Sequence, residues 1–296
     1  MKRLAPIFMS VVLLPLLAIA QQDKKRTTDE RRSYVLTDVS FVSDAVFMGR
    51  RDSISAPYLL PSIGYYDGSG FYADASLSYL TRSEEGRVDL FLLTAGFRFE
   101  SKKWEGYFSA TKYFYNDKSY AVQSGVTADI TGSLGHDFKV FHFSVLASSY
   151  FTEEGESDFI LGGTVKKLFK TMDGNLHITP SVSLYAGSQN FYQEYYQSNR
   201  LGNRKGKGQG GSDIAITEIV VEEAKGFNLL SLGLGLSLDL YHKNFIFSLS
   251  PAVAFPQNPS TITTMDAVFE EDLETTFYTT VGISYWFYTS KQKSNP

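Results

Sequence analysis

The chain of 296 residues contains no cysteine. That single absence excludes disulfide scaffolds, thiolate metal sites, lipid attachment through an N-terminal cysteine, and cysteine nucleophiles. Histidine is almost as scarce, with only His136, His142, His177 and His242 to serve general acid–base chemistry. Beyond residue 20 no apolar run approaches the ~20 residues of a membrane helix. A basic excess is also missing. With 28 Lys and Arg against 32 Asp and Glu, the balance disfavours a nucleic-acid partner.

Aromatic residues are abundant, with 19 Tyr and 23 Phe. A soluble domain would have to hide them, whereas a membrane barrel sets them on its lipid-facing wall and in two interfacial girdles. The N-terminus supports export. Lys2 and Arg3 precede an apolar stretch from Ile7 to Leu17, and Ala18-Ile19-Ala20 has the small-x-small pattern of a cleavage site. We therefore expect a signal peptide at 1–20, a polar, disordered periplasmic lead-in at 21–33, and a barrel at 34–288. A short periplasmic tail at 289–296 completes the chain. Without Lys2 and Arg3, 26 basic residues face 32 acidic ones.

From Tyr34 onward the apolar residues alternate with a period of two. The pattern predicts strands at 34–49, 57–66, 71–82, 87–99, 104–115, 119–134, 138–151, 158–169, 175–188, 226–241, 244–255 and 275–288. Leu230, Leu232, Leu234, Leu236, Leu238 and Leu240 share one face, with glycine and serine opposite. The connections alternate between short turns (67–70, 101–103, 135–137, 172–174, 242–243) and more variable, often longer segments (50–56, 83–86, 116–118, 152–157, 189–225, 256–274). Outer-membrane barrels segregate periplasmic turns and outer loops in this way. The fold class expected is all-β, an up-and-down antiparallel transmembrane β-barrel of about twelve strands in the outer membrane of a Gram-negative bacterium. Its expected partners are outer-membrane lipid and lipopolysaccharide, the barrel assembly machinery, and small solutes.

The face opposite the apolar one gives the candidate pore lining: Asp38, Asp44, Asp74, Arg98, Glu105, Asp129, Lys166 and Asp239. Acids outnumber bases there, which favours cations or neutral solutes. The alternative is a closed lumen plugged by hydrogen-bonded side chains, with function in the outer loops. Tyr195, Tyr196, Arg200, Arg204, Lys205 and Lys207 are the candidate outer-loop contacts for a protein, glycan or lipopolysaccharide. The acidic groups at 84–85, 153–158 and 270–274 read as solvated loop charge, with divalent-cation binding as the sharper alternative. His142 and His177 read as lumen side chains rather than metal ligands. All four histidines fall toward the periplasmic side, away from where an outer-leaflet hydrolase needs one, so no enzyme is expected. Gly206-x-Gly208-x-x-Gly211 follows no buried parallel strand and opens no helix, so no cofactor is implied.

Two stretches resemble known patterns. Phe41-Val42-Ser43-Asp44-Ala45-Val46-Phe47-Met48-Gly49-Arg50, with Pro57, Pro61-Ser62-Ile63-Gly64-Tyr65 and Gly70-Phe71-Tyr72-Ala73, resembles the opening hairpins of the TorF-like porin family. Met48 stands where that family's element has Arg. The resemblance implies passive solute passage. Val281, Ile283, Tyr285 and Phe287 are similar to the C-terminal signature of outer-membrane barrels, although the chain continues to Pro296.

Overall fold

The computed structural model describes residues 32–52, 54–152, 157–195, 220–221, 224–263 and 268–289. The signal segment, almost all of the lead-in, all but the first residue of the tail, and most of the 189–225 loop lie outside the described residues.

Alternation has its expected consequence: each strand presents one face to solvent or lipid and one to an interior. The strands are β1 (Tyr34–Val42), β2 (Tyr58–Tyr66), β3 (Phe71–Leu80), β4 (Arg87–Ser101), β5 (Trp104–Tyr115), β6 (Val126–Asp137), β7 (His142–Thr152) and β8 (Ser157–Lys166). They continue with β9 (Phe169–Thr171), β10 (Leu176–Gly187), β11 (Val220–Val221), β12 (Asn228–His242), β13 (Phe245–Pro256), β14 (Thr261–Thr263), β15 (Val268–Glu270) and β16 (Thr276–Tyr288). One six-residue helix, α1 (Asn190–Tyr195), follows β10.

The main sheet runs β12-β13-β16-β1-β2-β3-β4-β5-β6-β7-β8-β10, and β10 pairs back onto β12. β9 continues the line of β8 along β10. Twelve antiparallel strands therefore close on themselves, and no strand edge is left open. This is the up-and-down transmembrane barrel that the alternation predicts. Val39, Phe41, Ile63, Phe108, Val182, Leu234, Phe247 and Val281 stand among many large apolar side chains exposed on the outer wall. A wall of that extent is suited to hydrocarbon, not water.

Several boundaries differ from expectation. β1 ends at Val42, because residues 43–50 turn into the barrel mouth. Phe47 and Arg50 exchange both backbone hydrogen bonds at 2.8 Å. The turn between them uses positive φ at Met48 (48°) and Gly49 (83°). β6 begins at Val126, with a bulge against β7 between Val126 and Ala128, and 119–125 is an infolded loop. The following turn accordingly shifts to 138–141, where Lys139 has φ 70° and Asp137 accepts from its amide. Leu230 leaves the leucine face. A bulge opposite Tyr185 and Ala186 turns it inward, where it is fully buried. Within the 189–225 loop, Val220 and Val221 pair with β14 in a separate three-stranded sheet.

At the short-turn end, Asp67 holds the strand start in place. Its carboxylate accepts from the Ser69 amide at 2.9 Å and from Ser33 Oγ at 2.8 Å. The hydrogen bonds from Ser69, and then that from Ser33, hold its pKa below the usual carboxylate range. A depressed acid contributes stability above its unfolded pKa and loses it on acidification, so this tether weakens as pH falls below about 4.

Leu234→Arg, near the middle of an outward face, should cost about 2–4 kcal/mol of folding free energy into a bilayer. Urea titration in vesicles measures it. Ser250→Arg, on the inward face of the neighbouring strand, should leave the midpoint much closer to that of the parent.

Candidate functional site

The lumen is built from the inward positions of all twelve strands. Its middle is lined by hydroxyls and four aspartates, because the sequence repeats Asp-x-Ser/Thr or Ser-x-Asp at strand spacing, which sets both side chains on one face. Asp38 accepts from Ser40 Oγ and Ser284 Oγ, both at 2.6 Å. Asp129 accepts from Thr131 Oγ1 at 2.6 Å and the Tyr113 hydroxyl at 2.9 Å. Asp239 accepts from Ser237 Oγ at 2.9 Å and Ser248 Oγ at 2.7 Å. Asp74 faces the same space, and a Cβ added at Gly64 would sit 2.6 Å from its Oδ2. Among the described residues none of these four carboxylates forms an ion pair.

The remaining lumen candidates cluster toward the short-turn end. Glu105 Oε1 lies 3.0 Å from His142 Nε2 and 3.6 Å from Lys166 Nζ. The arrangement is an ion-pair cluster; among the described residues no group of His, Asp and Glu could hold a metal. Arg98 donates to the Tyr34 hydroxyl at 3.0 Å and lies over the Tyr34 and Tyr66 rings, 5.4 and 5.0 Å from their centroids. Tyr34 stacks on Tyr66 and Tyr66 on Tyr72, with centroids 5.0 and 5.7 Å apart. With Leu36, Ile246 and Trp286 they form an aromatic cluster on the inner face of the adjacent strands β13, β16, β1, β2 and β3.

At the loop end the chain folds inward to make a cap. Asp44 belongs to it and not to the strand lining. It accepts from the amides of Ala45 and Ala56, both at 2.9 Å, and burial pushes its carboxyl up from the usual range. Phe47 packs edge-on against Phe191 and Tyr150. Arg50 is the centre. Its Nη2 lies 3.0 Å from Glu271 Oε2 and donates to the Asn258 carbonyl at 3.0 Å, with side-chain exposures of 1% for Arg50 and 6% for Glu271. The Tyr192 hydroxyl donates to the same carboxylate at 2.7 Å, and the guanidinium lies over the Tyr192 ring. Glu271 thus departs from the solvated acidic loop that its neighbours suggested: burial and the Arg50 pair claim it.

Tyr195 is also buried in the cap, where its hydroxyl bonds to Asp52. Its ring therefore does not stand on the outer surface. Tyr196, Arg200, Arg204, Lys205 and Lys207 lie outside the described residues. Sequence reasoning missed Arg50, Tyr192 and Glu271, since a strand through 49 hides a turn. The glycine at 49 was the available signal. A Cβ there would meet Pro256 Cα at 2.9 Å and Ser231 Cβ at 2.8 Å, so the hairpin docks on β12 and β13 only because Gly49 has none. The gap left beside this wall is small, about 30 Å³.

Arg50→Ala would strand a buried carboxylate, which costs about 3–5 kcal/mol where no relaxation intervenes. Hydrogen exchange at the Phe47 and Arg50 amides should accelerate by orders of magnitude while barrel-strand amides stay protected. Unchanged protection in the hairpin would contradict the central place given to this ion pair.

No family model matches the chain, and a search of curated proteins also finds no match. Among solved structures it is similar to a KdgM porin, at 9% identity and a TM-score of 0.46 over 84% of this chain and 98% of that one. A NanC porin matches at 9% identity and a TM-score of 0.46 over 85% and 98% of the two chains. LpxR from Salmonella typhimurium matches at 10% identity and a TM-score of 0.43 over 86% and 100%.

Proposed function

We propose that the barrel is a narrow outer-membrane channel for passive passage of small cations and neutral solutes, with the short turns in the periplasm and the cap at the outer mouth. One observation carries this reading: a hydroxyl-lined lumen holds four aspartates without ion-pair partners among the described residues. Carboxylates inside low-dielectric walls focus a negative potential along the passage and raise local cation concentration. Arg98 is tied to tyrosines, and Lys166 is offset by Glu105. In this reading the barrel performs no catalysis.

A second reading has its own support. The capped mouth and the aromatic cluster inside the lumen favour a silent surface barrel that binds a partner through its outer loops. Planar-bilayer recording separates the two. The channel reading expects stable single-channel steps with a reversal potential on the cation side in a salt gradient. Asn at positions 38, 74, 129 and 239 together should bring the cation-to-anion permeability ratio close to unity without loss of folding. Correctly folded protein that never conducts would remove the channel and leave the surface barrel.

A further inference from the structure

The outward wall is not uniform. Ala73 and Ala75 on β3, Ala95 on β4, Ala110 on β5 and Ala128 on β6 lie side by side, because the register pairs Ala73 with Ala95, Ala95 with Ala110, and Lys112 with Ala128. Rows of larger side chains bound this floor. Phe71, Phe97 and Phe108 stand toward the short turns, and Leu77, Phe91 and Phe114 toward the loops. The two rows are six residues apart along β3, or about 20 Å. Between them lies an open apolar groove of about 780 Å³, whose lining also includes Leu93 between Ala75 and Lys112 and Ile130 beside Ala110.

Lys112 stands in this groove. Its neighbours Thr111 and Tyr113 are buried in the lumen while Lys112 is exposed, so its ammonium points to the lipid side. Among the described residues it is the only charged side chain facing outward from within a barrel strand. It leans toward the loop end, 5.9 Å from the Phe114 ring centroid. No carboxylate lies within ion-pair distance among the described residues. A cation on an apolar wall is costly unless an anion meets it or it reaches the interface.

A second copy of this chain is a poor occupant. An isologous contact over the groove would bring two Lys112 ammonium groups together, and like charges at an interface select against it. An anionic lipid fits both halves of the feature. We propose that the groove holds one phosphorylated, multiply acylated lipid of the outer leaflet, its chains across the alanine floor and a headgroup phosphate on Lys112. The assignment rests on the membrane orientation given under the proposed function, but not on conduction.

The test uses the full chain in detergent, with bis-phosphorylated hexa-acyl glucosamine lipid (lipid A) as probe and native mass spectrometry as readout. One lipid per barrel should survive, and retention should fall about tenfold or more for Lys112→Gln. Ala110→Phe, which fills the floor and leaves the charge, should lose the lipid as well, whereas Lys112→Arg should keep it. Dephosphorylated lipid A and phosphatidylethanolamine should be retained weakly. Heat-modifiable migration on gels reports folding for each variant. Equal retention by the parent, Lys112→Gln and Ala110→Phe would overturn the site, as would indifference to the phosphate or cross-linked dimers through position 112. Parallel bilayer recording keeps the two proposals apart: a silent barrel that still holds the lipid removes the channel alone.

Discussion

Backbone hydrogen bonding inside hydrocarbon is the constraint on which the structure depends. No water is available there to pair an open N–H or C=O, so strands cross a bilayer only when the sheet closes. The pairing that matters most is therefore the one that joins the first and last strands of the ring, β1 with β16. The β1–β16 pair joins residues near the two ends of the described chain in unbroken register from Tyr34–Tyr288 to Val42–Thr280. Once the ring closes, the side-chain period of two decides everything radial. The apolar residues of the alternation largely face lipid, and the polar ones face the lumen.

A lumen of twelve strands is too wide to be filled by strand side chains alone and too narrow to stay wide open if chain folds into it. This protein handles its two ends differently. At the short-turn end large aromatic residues on adjacent strands stack along the inner wall, with Arg98 held against their faces. At the loop end strand side chains such as Tyr113, Tyr150 and Tyr185 are also large and buried, and separate segments enter against them. The Phe47–Arg50 hairpin, α1 and the stretch around Glu271 converge on one buried guanidinium. Between these ends lies the hydroxyl and aspartate zone. Burial of charge is tolerated in both regions for one reason, since each carboxylate there, except Asp74, has at least two donors.

Fold and site were unequally legible in the residues. Strict alternation, aromatic girdles and loop parity each report on a single strand or connection, so they survive without tertiary knowledge, and twelve strands could be placed. Asp38, Asp74, Asp129 and Asp239 were legible as inward positions for the same reason. Bulges were not. One extra residue near Leu230 reverses which face a leucine takes, and its only trace in the sequence is the adjacent pair Leu229-Leu230. The cap was hidden more deeply. Asp44-Ala45-Val46-Phe47 continues a strand pattern, and only the left-handed turn at Met48 and Gly49 sends it inward. Its partner Glu271 sits in an acidic run that composition assigns to solvent. Pairing across 221 positions of sequence leaves no local trace.

Because the chain has no native cysteine, single thiols can be placed anywhere and read without background. The most direct test of the central claim, that one face of each strand meets lipid and the other a wetted lumen, is a thiol scan along β13 and β16 in intact outer membranes. A small, charged, membrane-impermeant thiol reagent should label cysteines at 248, 250, 280 and 282 and spare those at 247, 249, 281 and 283. Uniform labelling, or labelling of the second set alone, would contradict the account.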